Sequence, residues 1–469
     1  MRIEKDGLGS LSLPDEALYG LEAARAGENF ALDYKRVNLR LIYAMVKVKK
    51  AAALVFAELY AETGERPGEA EKFRAVAEAC DRVLAGKADG DFITSALQGG
   101  AGTSAHMNVN EVLSNLALVI MGKKPGDYGA LHPLEDVNRF QSTNDVYPTA
   151  LRIAAVELLR ELSEACAALQ EALQKKENEY AGIGKLGRTE LMDAVPVTLG
   201  EEFGAYAQAI ARDRWRLYKV EERLRQVNLG GAAVGGPGFL AGPGAGGAAA
   251  KAGDTAAFRR YRHRVVEELR RITGIGLAAA EYPMDLTQNW DVFVEVSGLL
   301  KALAVNLMKI AGDLRLMNSG PRGGFAEIRL APLQKGSTIM AGKVNPVIPE
   351  MVIQLGIKIC ANDAAISMAA SRGEFELNAF APLMADALLE SLSLLKDGCF
   401  LFRTKCVETL KADPERCAAL LNASRAFAAS YVPVLGYEKV SRILAEYGGA
   451  ENETERIRAA LEAAAERGT

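Results

Sequence analysis

One polar segment, Lys335-Gly336-Ser337-Thr338-Ile339-Met340-Ala341-Gly342-Lys343-Val344-Asn345-Pro346, lies between two apolar helical stretches. Glycines let backbone N–H groups converge on an anion, and a lysine adds a point charge. A serine beside such a nest can hold its own oxygen as an anion, or stabilise one on a substrate. Taken alone, the segment is better explained as an exposed Gly-rich loop. Three further clusters change that balance. Thr103, Ser104, His106, Asn108 and Asn110 crowd the start of an apolar helix in GGAGTSAHMNVNEVLSNLALVIMG. Gln141-Ser142-Thr143-Asn144-Asp145 precede a long helix reaching about Lys176, and Arg188, Thr189, Glu190 and Asp193 precede another, with Pro196 fixing the turn. Helix starts carry free N–H groups and attract anions. Capping consumes one or two polar residues, not five. The inventory of hydroxyls, amides, one lysine and Gly-rich backbone suits a small anionic substrate.

Bulk properties narrow the choice further. The chain has 469 residues, 49% hydrophobic and 25% charged, with net charge −4. That length allows two or three domains, and the absence of a basic tract argues against nucleic acid. Its 6 cysteines form no C-x-x-C pair and its 3 histidines no i, i+4 pair, so no metal site is expected. The cysteines read as reduced core residues of a cytoplasmic protein. The first residues lack an apolar core, so no signal peptide is expected, and no uninterrupted apolar run reaches membrane-spanning length.

The elements that must position these clusters are helical. Residues 1–30 read as an ordered but irregular arm. Helices are expected over Asn38–Glu62 and Glu69–Leu84. Val292–Leu316, Met351–Ala370 and Leu383–Leu401 are apolar on most faces, so other helices must bury them. That implies a helix bundle completed by further copies of the chain. Residues 228–255 are Gly/Ala/Pro-rich and read as a linker, a close-packed turn or a flap. Val432–Tyr437 reads as a turn in a small C-terminal helical domain, and Phe325–Leu330 as the best short strand.

The clusters also resemble known motifs. GSTIMAGKVNPVIPE (Gly336–Glu350) resembles the signature GSSxMPxKxNP of the aspartase/fumarase superfamily, and the chain most resembles its aspartate ammonia-lyases. GTSAHMNVNEVLSN, QSTNDVYPTALRIA and GRTELMDAVPVTLGEEF resemble its other active-site regions, in the same order. Shorter matches surround them: Tyr19–Phe30, Asn228–Gly235, Ser319–Ile328 and Phe375–Phe380.

This resemblance implies a mainly all-α, three-domain fold, divided as 1–143, 144–395 and 396–469. It implies a homotetramer whose active sites are shared between subunits, and a reversible β-elimination giving fumarate without any cofactor. Ser337 would be the general base. Thr103, Ser142, Thr143 and Thr338, with Ser104 and His106 beside them, would hold the carboxylate where charge develops. Lys343 and Asn345 would hold the other carboxylate. Asn144 and Thr189 would face the leaving amine, with Glu350 behind it.

Several positions depart from the family pattern. Glu190 stands where His or Gln is usual, His106 where Asn is usual, and Ala341 where Pro is usual. Ala23, Ala101 and Ala232 replace frequent Ser or Thr. Glu190 is expected near Glu350, where two carboxylates would share a proton or attract a cation. That favours an amine leaving group over the hydroxyl of a fumarase, and admits a bulkier or quaternary amine such as that of ergothioneine. A non-catalytic structural tetramer is the reading from another class; the presence of Ser337, Lys343 and Asn345 argues against it.

Overall fold

The structure, a computed structural model, describes residues 1–64, 68–236 and 252–467. The N-terminal hairpin of β1 (Arg2–Asp6) and β2 (Gly9–Leu13) leads to α1 (Leu21–Asn29), α2 (Leu39–Thr63), α3 (Glu69–Leu84) and α4 (Thr103–Ile120). Then come the long α5 (Thr143–Glu179), a second hairpin of β3 (Gly184–Thr189) and β4 (Met192–Thr198), and α6 (Leu199–Val220). α7 (Ala252–Thr273), α8 (Pro283–Gln288), α9 (Asp291–Met317), α10 (Val347–Ala370) and α11 (Ala381–Phe402) follow. The chain continues through α12 (Pro414–Ala423), α13 (Val432–Leu435), α14 (Tyr437–Tyr447) and α15 (Glu453–Glu466). The fold is mainly helical, as the sequence predicts. Two compact units emerge. The first comprises Met1–Ser163, Trp215–Ala302 and Lys358–Lys396; the second comprises Glu164–Arg214, Leu303–Ile357 and Asp397–Thr469. Every boundary falls inside one of the long helices α5, α6, α9, α10 or α11.

In the first unit, Asn38 caps α2 by accepting from the Arg40 amide at 2.9 Å, and Gly64 ends it in the left-handed region at φ 63°. α2 packs on α3, α4 and α7. Phe56 and Tyr261 stack there with ring centres 5.1 Å apart. Residues 1–13 form a hairpin, not the irregular arm expected. Arg2 holds the arm by donating to the carbonyls of Pro14, Ala17 and Tyr19. Glu111, deep in α4, accepts from the amides of Gly20, Glu22 and Ala23 and so supplies the start of α1 with the acceptors its own cap lacks.

In the second unit, the cluster at 186–206 is a β-hairpin and not simply the entry to a helix. Its turn is Glu190-Leu191, both left-handed at φ 54° and 65°, while Pro196 sits within β4 opposite Leu186. A type I′ turn usually takes Asn-Gly, so Glu-Leu gives no turn signal. Gly187 marks an irregular step in the register; a Cβ there would lie 2.6 Å from the Val195 carbonyl. Lys185, 2% exposed at its side chain, bonds both oxygens of Glu202 and reaches Glu327 at 3.0 Å. Arg188 pairs with the other Glu327 oxygen at 2.9 Å and lies over the Phe325 ring. These charges tie the hairpin to α6 and to the strand-like segment before the polar loop. That segment is shorter than expected: only Ile328–Arg329 pairs, with Lys411–Ala412.

Val432–Leu435 is a short helix and not the turn expected; Gly436 at φ 78° follows it. Val440, Ile457 and Leu461 form a small C-terminal core with Ala428. The expected burial of α10 is not met within a single chain. It is long and apolar enough to cross a membrane by length and composition, yet only 33% of its most apolar stretch is buried. Of the Gly/Ala/Pro-rich stretch, 228–236 packs closely with Asn228 fully buried, which favours the close-packed turn there; 237–251 lies outside the described residues.

Candidate active site

The first unit brings two helix starts together. Gly100, Ala101 and Gly102 are left-handed in succession at φ 80°, 58° and 93°, and turn the chain into α4. Gly102 faces the ring of Tyr147 on α5 so closely that any Cβ would overlap it. His106 of α4 reaches the start of α5, its Nδ1 2.8 Å from Thr143 Oγ1. Two helix N-termini thus approach each other, and their dipoles favour an anion, although the amides of Thr103, Ala105, Asn144 and Asp145 already donate within the protein.

Capping accounts for part of these clusters. Ser142 Oγ accepts from the Asn144 amide, and Asp145 accepts from the Ser142 amide at 2.9 Å, a reciprocal cap. Thr103 donates its hydroxyl to the Gly100 carbonyl at 2.7 Å. Asn144 donates to the Ala233 carbonyl. The Ser104 hydroxyl has no hydrogen-bond partner among the described residues. The Thr143 hydroxyl has the His106 ring as its one partner among the described residues.

Beneath these groups lies charge that the sequence reading did not assign. Asp145 is fully buried; it accepts from the amides of Gly230 and Ala232 at 3.0 Å each, holding that turn against α5. Burial pushes its carboxyl up to about 7, although the amides and the Lys49 charge oppose this. Lys49, 1% exposed, has Asn138 Oδ1 at 2.8 Å as its one acceptor among the described residues, and burial pulls its ammonium down to about 7. Burial, with the Lys49 charge, holds His106 well below the ordinary imidazole value. One signal for Lys49 existed. It shares a helical face with Met45, Ala52, Ala53 and Phe56, all buried.

The second unit carries the loop serine. Ser337 Oγ accepts from the amides of Ile339 at 3.2 Å and Met340 at 2.9 Å. The loop closes on itself: the Gly336 amide donates to the Lys343 carbonyl at 2.9 Å, and Asn345 Nδ2 donates to the Gly336 carbonyl at 2.8 Å. Gly336 must be glycine, because a Cβ would lie 2.5 Å from that Lys343 oxygen. Lys343 is exposed and borders two clefts. One is lined by the loop itself, with Ser337 and Thr338. The other, about 710 Å³, is lined by Asn345, Glu350, Arg315 and Arg416 among others. Glu350 has Arg315 as its ionic partner at 3.6 Å. Thr189 and Glu190 stand exposed at the tip of the hairpin. Each unit therefore holds part of the expected constellation. Among the described residues no cluster of His, Cys, Asp or Glu could hold a metal ion.

On a mainly helical scaffold, the second unit carries the buttressed serine with its adjacent lysine and the first carries the paired helix starts, each a set of groups suited to an anion. The comparisons agree. A family described as Lyase matches residues 9–244 and 237–361. An aspartate ammonia-lyase of a Bacillus species is 40% identical over 446 residues, covering 95% of this chain and 90% of that protein. The aspartate ammonia-lyase of Pseudomonas aeruginosa is 42% identical over 445 residues, covering 94% and 89%. The crystal structure titled fumarate lyase:delta crystallin from Brucella melitensis superposes with a TM-score of 0.85 at 38% identity, over 98% of this chain and 99% of that one. This chain belongs to the aspartase/fumarase superfamily of lyases.

Proposed function

We propose that the protein removes ammonia from L-aspartate, reversibly, to give fumarate, and that Ser337 is the general base. The observation that carries this reading is the pair of amides, from Ile339 and Met340, aimed at the Ser337 oxygen. Two N–H donors stabilise an alkoxide more than a hydroxyl, so they make the serine a stronger acid and populate the base. The relatives' names supply the substrate.

The chemistry follows from the groups present. The Ser337 alkoxide takes a proton from C3 of aspartate, beside a carboxylate. The electron pair passes into that carboxylate as an aci-carboxylate dianion, the species that the paired helix starts at Thr103 and Thr143 suit. Collapse forms the C2–C3 double bond and breaks the C2–N bond, and the amine leaves. Ser337 is then neutral and returns its proton to solvent. Lys343 balances the second carboxylate. Asn345 braces the loop through Gly336, so its contribution includes holding Ser337 in place. Asn144, Thr189 and Glu350 complete the amine side in this reading, and no cofactor takes part.

We also propose that the chain works as a homotetramer with shared sites, within the three-segment organisation given above. Partial burial of α10 supports this, because an apolar face of that size is satisfied by further helices. A reducing, cytoplasmic setting fits six free cysteines, five of them buried.

A second reading rests on Glu190. Its exposed carboxylate at the hairpin tip suits a cationic leaving group, including amines bulkier than ammonia. An absorbance assay in the fumarate band separates the readings. Turnover of L-aspartate with ammonium release is the expected result. No turnover of aspartate, with activity on a trimethylammonio acid, would overturn the first reading in favour of the second.

A further inference from the structure

We propose that His106 is a positioning residue that makes Thr143 a hydrogen-bond donor, so that the start of α5 accepts a carboxylate and rejects an ammonium group. This rests on the reading above in which Thr143 meets the substrate carboxylate.

His106 is 1% exposed and cannot itself touch a substrate in solvent. Among the described residues its ring makes one hydrogen bond, from Nδ1 to Thr143 Oγ1, while Nε2 is buried without a partner. A neutral imidazole carries one proton, and two arrangements fit the distance. With the proton on Nε2, a buried N–H lacks an acceptor, and Thr143 spends its hydroxyl hydrogen on Nδ1. Thr143 could then only accept, and an approaching carboxylate would be repelled. With the proton on Nδ1, His106 donates to Thr143 Oγ1. The hydroxyl hydrogen is then free to turn towards an anion, and only a ring lone pair is left unpaired.

The second arrangement is favoured on two grounds. A buried N–H without an acceptor is the costlier orphan. The buried Lys49, whose charge is felt at the ring, also opposes a second proton there, so His106 stays neutral. Anion binding reinforces the choice, because a carboxylate at Thr143 needs that hydroxyl hydrogen. His106 thus sets the polarity of a neighbouring hydroxyl that has no other partner among the described residues.

The test uses the whole enzyme with succinate, an unreactive dicarboxylate. With only 3 histidines in the chain, nitrogen-15 labelling of histidine and solid-state NMR can read each ring, and His106→Asn assigns the signal. The expected result is a protonated Nδ1 and a bare Nε2 with succinate bound. A protonated Nε2 in that complex would overturn the inference, whatever the variants do. In kinetics, His106→Asn keeps a donor at the Nδ1 position and should retain kcat/KM within a few-fold. His106→Leu should lose about 10- to 100-fold, with matching loss of succinate affinity. Full activity in His106→Leu, alongside a large loss in Thr143→Val, would overturn the inference alone. No loss in Thr143→Val would overturn the carboxylate reading beneath it.

Discussion

Gly102, at the start of α4, packs against the ring of Tyr147 in the first turns of α5. Gly102 sits at φ 93°, and any Cβ there would enter the Tyr147 ring. The ring is itself buried and cannot retreat. The contact leaves no room for a side chain at position 102 between the two helix starts.

Gly102→Ala should therefore damage function more than a single methyl suggests. Overpacking costs about 1–3 kcal/mol, and the left-handed backbone adds about 1 kcal/mol. Misplacing the helix start by about 1 Å can cost about 100-fold in rate. Denaturation midpoints and kcat/KM on L-aspartate check both parts. A variant with unchanged kinetics would show that the two helix starts do not act together.

Glu327 is fully buried between Lys185 and Arg188. Glu327→Ala leaves two cations with reduced compensation. Loss of one partner from a buried pair costs about 3–5 kcal/mol. Chemical denaturation should register a loss of that order. A loss under about 1 kcal/mol would mean the network is solvated and does not hold the hairpin.

Lys49 makes stability depend on pH in a defined direction. Its folded-state value is lowered, to about 7 from 10.5, so between those limits the unfolded chain binds the extra proton. Stability from this group is therefore highest above pH 10.5, and is lost as pH falls through about 7. Lys49→Met, of similar volume, removes the buried ammonium. The melting temperature of the wild type should rise more steeply from pH 6 to pH 9 than that of Lys49→Met, and the variant's relative gain should be greatest at pH 6. Parallel curves would show that Lys49 keeps an ordinary value in the folded protein.

Much of the helical framework is legible from apolar periodicity. α3 spans the residues its pattern marks, and Asn38 and Gly64 bracket α2 as cap residues do. The hairpin at 184–198 was not legible. Its turn, Glu190-Leu191, uses two residues with no preference for the left-handed region, and its strands alternate weakly. At the site, Ser337, Lys343 and Asn345 were legible as a motif. The work that Asn345 does was not, because a side chain bridging to Gly336 nine residues away leaves no periodic trace. The capping of the Asn144 amide by the Ser142 oxygen was likewise not read from its motif. Asp145 was legible only as one member of its polar cluster, without its burial, and Lys49, despite its apolar face, stands in sequence beside Lys47 and Lys50 like one more solvated lysine.

The central claim is that the Ser337 oxygen, held by two loop amides, removes the proton. The most direct measurement is kcat/KM on L-aspartate for Ser337→Ala, with succinate affinity measured on the same preparation. A loss of about 100- to 10,000-fold with succinate binding retained is the result this account predicts. A Ser337→Ala enzyme as active as the wild type would contradict it.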